Sequence, residues 1–295
     1  MSGGVIHGAE LRSDGYRIGL RAASASAMHQ LLTIKQTPRP REVRWRLTMQ
    51  EIEFHRALHR PGTIVDVGAH DGRLTLPLAQ LPASRVVAFE PLPPAFARLQ
   101  QAMSAAWGGK LPPHVTLRRE ALAERSGMTT ISAPRIGGVV QEEWASISKD
   151  YAALREADPR IEAVVTWSVP LLRLDDAGLA DVTAIKIDVE GAELEVLRGA
   201  WMTLQRWRPC LSIEIEERHR AGSTRAVPEL LRDLGYEGWF ELFGDWRRLE
   251  QLNLATMQRA SPSPAEFTVS HPYVFSFYFV PSERRQDLAC LARLP

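Results

Sequence analysis

The chain has 295 residues, of which 45% are hydrophobic and 24% are charged, and its formal net charge is +1 at pH 7. This composition is that of a globular protein, and the length suits one large α/β domain with additions or two small domains. The near-neutral charge gives no electrostatic support for a nucleic-acid partner. Two cysteines, Cys210 and Cys290, are too few for a disulfide framework or a cysteine zinc site.

The first 46 residues are rich in arginine, serine and alanine and poor in acids. We interpret residues 1–46 as a solvated basic arm with one helix near 22–32, although organelle transit peptides have a similar composition. The first residues lack the charged region and apolar core of a secretory signal, and no apolar run approaches the roughly 20 residues of a membrane helix. The expectation is a cytoplasmic protein without a membrane span.

An alternation of strands and helices follows the arm. Apolar residues at helical spacing predict a helix over 47–58, which is expected to cover the sheet edge or the mouth of a ligand site. Residues 63–67 are predicted to form a buried strand, followed by a glycine turn and a helix from 73 to 79. Strands at 85–90 and 115–119, with a helix over 93–103 between them, complete a β-α-β-α-β pattern.

The periodicity changes at Ser126, where we predict a small β insertion over about 126–170. Its strands are expected at 127–132, 144–148 and 163–169. Core strands then follow at 183–188, 209–215, 238–243 and 273–280, with helices at 192–204 and 228–234. A polar segment, 244–270, separates the last two strands.

The first strand, its glycine turn and the next helix form a recurring site for nucleotide-like ligands. Glu90 ends the second strand roughly 20 residues past the turn, where an acid takes the two ribose hydroxyls of an adenosine ligand. A solvated strand-end acid is the alternative. The side chains of His70 and Asp71 stand where a pyrophosphate site needs bare backbone, which favours an adenosine ligand without phosphates. S-adenosylmethionine fits that description.

Four blocks of the sequence resemble the FkbM-type S-adenosylmethionine-dependent methyltransferases: VDVGAHDG, VVAFEPLPPAFARL, ALAERSG, and IKIDVEGAELEVLRGAWMTL followed by PCLSIEIE. The resemblance runs in order from about Leu47 to Leu234, and HPYVFSFYFVP is similar to the closing strand of the family. It implies an α/β Rossmann-like class I methyltransferase fold over 47–295, with a seven-stranded, mostly parallel sheet whose last strand is antiparallel. It also implies methyl transfer, typically to a hydroxyl oxygen of a secondary metabolite or a glycan.

The resemblance implies the cofactor contacts as well. Asp66, Gly68 and Gly72 are expected to hold the methionine end, Glu90 the ribose, and Glu120-Ala121 to lie beside the adenine. The full set of expected S-adenosylmethionine contacts is Asp66, Gly68, Ala69, His70, Asp71, Gly72, Glu90, Pro91, Glu120, Ala121 and Asp188.

The end of the fourth strand is expected to carry the chemistry, with Asp188 beside the methyl group by the resemblance. Methyl transfer to a hydroxyl requires alignment of the acceptor and removal of its proton. Asp188 and Glu190 are the candidate catalytic carboxylates, because neighbouring carboxylates raise one another's pKa. Lys186, the third candidate, holds an anionic acceptor or Asp188, or is a plain ion-pair partner, and His219 is a reserve base. Alternatively, Asp188 only orients the acceptor, or Asp188, Glu190 and Glu214 bind a divalent cation; we rank the metal second and predict none.

Two departures from the family pattern concern specificity. His70 stands where the family usually has Asn, which alters the contacts to the carboxylate of the ligand. The segments 1–46 and 244–270 match no part of the family, and acceptor specificity is expected to reside there.

The predicted function is therefore O-methylation of a small-molecule or glycan acceptor. The alternatives are a non-catalytic S-adenosylmethionine-binding protein on the same fold, a nucleotide-dependent oxidoreductase, or a methyltransferase acting on protein or nucleic acid. The turn at His70 and Asp71 disfavours the oxidoreductase, and the missing basic surplus disfavours nucleic acid. The sequence does not fix the oligomeric state.

Overall fold

The structure is a computed structural model that describes residues 41–259 and 271–293. The arm before residue 41 and the part of segment 244–270 beyond residue 259 lie outside the described residues. The strands β1 to β12 are Gly62–Val67, Ser84–Phe89, Val115–Arg118, Ala121–Leu122, Gly127–Ile136, Val139–Val140, Ala163–Leu172, Val182–Ile187, Cys210–Glu214, Tyr236–Leu242, Asp245–Arg248 and Ser276–Pro281. The helices α1 to α8 are Arg41–Ala57, Thr75–Leu78, Pro93–Ala106, Tyr151–Ala157, Glu193–Gly199, Trp201–Trp207, Ser223–Asp233 and Leu254–Met257.

The main sheet has eight strands in the order β11-β10-β12-β9-β8-β1-β2-β3. Strands β3, β2, β1, β8 and β9 are parallel, whereas β12 runs antiparallel between β9 and β10. This arrangement confirms the expected Rossmann-like class I methyltransferase fold and its antiparallel last strand. The expected count of seven strands is one too low, because β11 pairs with β10 through a hairpin at Phe243-Gly244. Its sequence, Asp-Trp-Arg-Arg, lacks the apolar run by which buried strands are found.

The predicted insertion forms a separate four-stranded sheet in the order β4-β7-β5-β6. Strands β5 and β7 pair antiparallel over their whole lengths, which confirms two of the three strands predicted there. The third prediction, a strand at 144–148, is wrong. Residues Glu142–Trp144 form a 3₁₀ turn, and Ser146 makes a single bridge to Ser132.

Two helices differ from their predicted bounds. Helix α1 begins at Arg41, so residues 41–46 belong to a helix and not to the arm. The helix predicted over 192–204 is divided at Ala200 into α5 and α6. None of the helices in the described ranges is long and apolar enough to cross a membrane.

Successive side chains of a β-strand point to opposite faces of the sheet. Those of the central strands therefore pack into two separate cores. In β1, Ile64 packs with α2 and α3 on one face, whereas Val65 and Val67 pack with α5 to α7 on the other. Because both faces are covered, the polar groups that remain exposed collect where the parallel strands end. The carboxyl ends of β1, β2, β8 and β9 therefore meet at one edge, where ligands bind in open α/β sheets.

Candidate functional site

The turn after β1 is held between the ends of two neighbouring strands. The N–H groups of Gly68 and Ala69 both donate to the carbonyl oxygen of Phe89, each at 3.0 Å. Gly68 has a φ of +76°, and a Cβ placed on it would lie 1.8 Å from the carbonyl oxygen of Asp188. Only glycine satisfies both the left-handed backbone and this close approach. The sequence therefore dictates that the ends of β1, β2 and β8 lie in direct contact.

A cleft of about 200 Å³ opens along this edge of the sheet. Its wall includes most of the residues predicted to contact a cofactor. These are Gly68, Ala69, His70, Asp71, Glu90, Pro91, Glu120, Ala121 and Asp188.

Asp66 and Gly72 are not among the residues that line the cleft, so their contacts with the cofactor stay a prediction. The Asp66 side chain is 0% exposed, and it accepts a hydrogen bond of 2.6 Å from the hydroxyl of Thr75. Its other oxygen lies 3.4 Å from Nζ of Lys186. A Cβ on Gly72 would lie 2.9 Å from Leu99 Cδ1, so this glycine permits close packing of α3. Both residues shape the turn from beneath.

Glu90 follows β2 and faces the cleft from a buried position. One carboxylate oxygen accepts the N–H of His70 at 2.8 Å, and the other accepts the N–H of Leu92 at 2.9 Å. Burial raises the pKa of Glu90, while His70 and these two N–H groups oppose the rise. A carboxylate has about four acceptor positions, so Glu90 retains the capacity to bind a vicinal diol while it fixes the turn.

The charged side chains of the turn neutralise one another. Arg73 donates to Asp71 at 2.8 Å, and Nδ1 of His70 lies 3.7 Å from the same carboxylate. Burial alone would raise the pKa of Asp71, but His70 and Arg73 hold it well below its usual range. Arg98 lies 3.4 Å from Nε2 of His70 and pairs with Glu142 at 2.6 Å. His70 and Asp71, which were expected to meet the polar end of the cofactor, thus belong to a network of charged side chains.

Glu120 and Ala121 line the cleft at the junction of β3 and β4. Arg118 binds the Glu120 carboxylate at 2.6 Å, and its guanidinium lies 5.1 Å from the centre of the Phe89 ring. The end of β3 is therefore rigidly built. This is the position at which the adenine was expected.

Lys186 holds the centre of the site together. Its Nζ donates to the carbonyl oxygen of Gly68 at 2.8 Å and lies 3.4 Å from Asp66 and 3.8 Å from Asp188. Burial alone would lower the pKa of Lys186, but the two aspartates outweigh it and raise the pKa above its ordinary value. The side chain is therefore a fixed cation. Of the roles weighed for Lys186, these contacts favour an ion-pair partner that holds Asp188 over a group that holds an anionic acceptor.

Glu190 sits in a loop whose backbone is strained. Its φ is +56°, a left-handed value that is uncommon for a residue other than glycine. Three groups hold it there: Nζ of Lys149 at 2.7 Å and Nε2 of His219 at 3.0 Å from the carboxylate, and the hydroxyl of Ser146, which donates to its carbonyl oxygen at 2.8 Å. The Glu190 side chain is 12% exposed and lines the cleft beside Asp188.

His219 is buried behind Glu190 and does not belong to an exposed surface. Its Nε2 faces two carboxylates, those of Glu190 at 3.0 Å and Glu216 at 3.4 Å. Burial lowers the pKa of His219 against the pull of these carboxylates, which favours a neutral ring. The reserve base of the sequence analysis thus lies behind Glu190 and is not among the residues that line the cleft.

Carboxylates from two strand ends approach one another closely. One oxygen from each of Asp188, Glu190 and Glu214 lies within 4.8 Å of the others. Such a set of oxygen donors suits Mg²⁺ or Ca²⁺. Lys186 and Lys149 already supply positive charge to Asp188 and Glu190.

Parts of the cleft wall were not predicted from the sequence. Thr48 and Glu51 of α1 line its mouth, in line with the expectation that this helix covers a ligand site. The insertion contributes a further section of wall, residues 142–147. The strand predicted at 144–148 is not formed, so a period of two could not show which of these side chains face the cleft.

A comparison with models of known protein families now identifies the chain. Residues 66–237, more than half of the sequence, match the methyltransferase FkbM domain. The chain belongs to the FkbM methyltransferase family. The matched region contains the glycine turn, the insertion and the ends of β8 and β9, whereas α1 lies outside it.

Individual proteins are similar to parts of the chain. Methyltransferase sdnD of Sordaria araneosa is 29% identical over 196 residues, which cover 59% of this chain and 73% of sdnD. The 2-O-methyltransferase NoeI of Sinorhizobium fredii is 32% identical over 161 residues, which cover 51% of this chain and 63% of NoeI. A crystal structure of methyltransferase FkbM from Methylobacillus flagellatus has a TM-score of 0.46 and 16% identity, over 86% of this chain and 58% of that chain.

Beside the site, this FkbM methyltransferase buries a carboxyl group whose titration is expected to affect stability. Glu193 is 2% exposed at the start of α5 and accepts the N–H of Gly191 at 2.8 Å. Burial, together with Glu190 and Asp188, raises its pKa from 4.5 to about 8. The folded state therefore keeps a proton that the unfolded state loses above about pH 4.5, so stability falls as the pH rises from there to about 8.

Replacing Glu193 by Gln is expected to remove this alkaline loss, which amounts to roughly 2–4 kcal/mol. Urea unfolding of the wild type and Glu193→Gln between pH 5 and 9 measures it. The two free energies of unfolding should diverge as the pH rises. The exposed Glu156→Gln on α4 is the control, and parallel curves for wild type and Glu193→Gln would contradict the prediction.

Proposed function

We propose that this protein transfers the methyl group of S-adenosylmethionine to a hydroxyl oxygen of a small molecule or a glycan. Its family membership makes it a methyltransferase; the acceptor is the proposed part. One observation carries the proposal. Glu90 and the carboxylate pair Asp188 and Glu190 face one cleft from the ends of β2 and β8, the two strands that flank β1. NoeI is a 2-O-methyltransferase, which supports oxygen as the receiving atom. The cytoplasmic location expected from the sequence stays a prediction.

The residues present fit S-adenosylmethionine. Glu90 offers acceptor positions for the ribose hydroxyls, and the turn residues Gly68, Ala69 and His70 line the same cleft. The charges of the turn, among them Arg73 and His70, suit an amino-acid end that carries both a carboxylate and an ammonium group. The bound cofactor supplies a methyl group activated by a sulfonium.

Asp188 is the residue proposed to act on the acceptor. With S-adenosylmethionine bound as the methyl donor, the chain would have to align the acceptor hydroxyl and take its proton. The hydroxyl proton passes to a base, which the geometry offers in the Asp188 carboxylate at the cleft wall. Lys186 fixes this carboxylate at 3.8 Å and keeps it in place. Glu190 completes the wall beside it.

A panel of acceptors tests the proposal. The purified protein is incubated with S-adenosylmethionine and methyl glycosides, their 2-deoxy counterparts and non-sugar alcohols, and products are sought by mass spectrometry. Methylation of at least one hydroxyl compound is expected, with S-adenosylhomocysteine formed in equal amount. Methylation only of amines, thiols, proteins or nucleic acids offered in parallel would overturn oxygen as the receiving atom.

A chelator separates the carboxylate mechanism from the metal alternative. Because Lys186 and Lys149 already balance Asp188 and Glu190, EDTA is expected to change the rate of methyl transfer less than about twofold. The measurement is the initial rate after dialysis against EDTA, with and without added Mg²⁺. If EDTA abolishes the rate and Mg²⁺ restores it, the metal alternative is favoured, with a divalent cation bound by Asp188, Glu190 and Glu214.

A further inference from the structure

We infer that Lys149, a residue of the β insertion, is a positioning residue that holds Glu190 in the cleft as a second contact to the acceptor. The inference rests on the proposed function and extends it by assigning the insertion a part in acceptor binding. Lys149 is not among the residues that line the cleft, so it acts through Glu190.

The bond between Lys149 and Glu190 is well shielded from water. The distance between Nζ and the carboxylate is 2.7 Å, and the two side chains are 11% and 12% exposed. In such surroundings an ion pair with good geometry fixes its members, and removal of one partner leaves a costly buried charge. Lys149 therefore does more than an exposed surface pair, which contributes little.

The backbone of Glu190 needs this restraint. A left-handed residue other than glycine is strained and persists only where its surroundings enforce it. The insertion supplies two of the restraints, Lys149 on the carboxylate and the Ser146 hydroxyl on the carbonyl oxygen. Ser146 is itself anchored, because its backbone exchanges two hydrogen bonds with Ser132 of β5. The insertion sheet is thereby tied to the loop that follows β8.

The Glu190 carboxylate that is restrained in this way faces the cleft. Lys149 and His219 both approach the same carboxylate oxygen, from the insertion and from the loop after β9. The carboxylate they hold lines the cleft beside Asp188. A carboxylate accepts hydrogen bonds from two hydroxyls at once, so Glu190 is suited to a hydroxyl next to the one that is methylated. This favours acceptors with neighbouring hydroxyl groups.

Kinetics of three variants test the inference. Lys149→Met removes the charge and keeps the length of the side chain, Lys149→Arg keeps the charge, and Lys110→Met is the control at an exposed lysine outside the cleft. Lys149→Met is expected to lower kcat/KM for a methylated diol acceptor about 10- to 100-fold, with the Kd for S-adenosylhomocysteine unchanged. Lys149→Arg should recover most of the activity, and Lys110→Met should match the wild type.

Unchanged kcat/KM in Lys149→Met would overturn the inference. So would an equal loss of acceptor efficiency and cofactor affinity, because that result describes a general structural role. If the wild type binds no S-adenosylhomocysteine, the result contradicts the proposed function. The role of Lys149 in holding Glu190 is then tested by the next measurement, which needs no acceptor.

A second measurement needs no acceptor. In protein labelled with ¹³C at glutamate side-chain carboxyls, the Glu190 signal is identified by its absence in Glu190→Gln and titrated in wild type and variants. Loss of the Lys149 cation is expected to raise the pKa of Glu190, because a nearby positive charge favours the ionised carboxylate, while Lys149→Arg leaves it in place. An identical titration in wild type and Lys149→Met would overturn the inference. The other charged or titratable groups near Glu190 are Tyr151, Asp188, Glu193, Glu214, Glu216, Arg218 and His219.

Discussion

Gly68→Ala is expected to abolish binding of S-adenosylhomocysteine and to lower the free energy of unfolding by about 3 kcal/mol or more. The new Cβ would lie 1.8 Å from the carbonyl oxygen of Asp188, an overlap that only a shift of the backbone can relieve. That shift separates the ends of β1 and β8 and displaces both the turn and Asp188. The measurements are isothermal titration with S-adenosylhomocysteine and urea unfolding.

Gly138→Ala is a closely matched control. Gly138 has a φ of +75°, against +76° for Gly68, but no heavy atom lies within 4 Å of its added Cβ. It therefore suffers the backbone strain of about 1–2 kcal/mol without the overlap. Cofactor affinity should be retained in Gly138→Ala. Equal losses of stability in the two variants, or cofactor binding preserved in Gly68→Ala, would contradict the close packing of the strand ends.

Asp188→Asn is expected to reduce the rate of methyl transfer about 1,000-fold while the affinity for S-adenosylhomocysteine stays within about threefold. Removal of a positioned general base typically costs about 10²–10⁴ in rate. Asparagine keeps the size of the side chain, and Lys186 retains Asp66 as a partner at 3.4 Å. The measurement is kcat for an acceptor found in the panel, together with the Kd for the cofactor product.

Asp245→Asn provides the control, because this aspartate is exposed on the edge strand β11. It should have wild-type kinetics. A rate close to wild type in Asp188→Asn would remove Asp188 from proton transfer and leave Glu190 as the candidate. A large loss of cofactor affinity would instead place Asp188 among the cofactor contacts, as the sequence analysis also allowed.

The sequence predicted the elements whose physical cause is local. Parallel strands buried on both faces are continuous apolar runs, which is why β1, β2, β8 and β9 were found. Glu90 was expected at the ligand edge because it ends such a strand, whereas Asp188 was placed beside the methyl group by the resemblance to the family. The hairpin strand β11 escaped prediction, since its polar residues pair at a sheet edge and follow no apolar pattern.

Tertiary contacts explain the remaining differences. Asp66 was assigned to the cofactor by the resemblance to the family, and its side chain contacts Thr75 and Lys186. Lys149 gave no local signal, and His219 was expected as a reserve base, not as a contact of Glu190. Each meets Glu190 only because the insertion and the loop after β9 fold back onto the end of β8.

Isothermal titration of S-adenosylhomocysteine into the wild type and Glu90→Ala tests the central claim most directly. Binding of one ligand per chain is predicted for the wild type. Glu90→Ala should bind about 10- to 100-fold more weakly, because hydrogen bonds to a charged group contribute about 1.5–3 kcal/mol. Glu217→Ala is the control, since Glu217 also accepts two backbone N–H groups, from Gly222 and Thr224, outside the cleft. No binding to the wild type, or equal affinity in Glu90→Ala, would contradict the assignment of this cleft to S-adenosylmethionine.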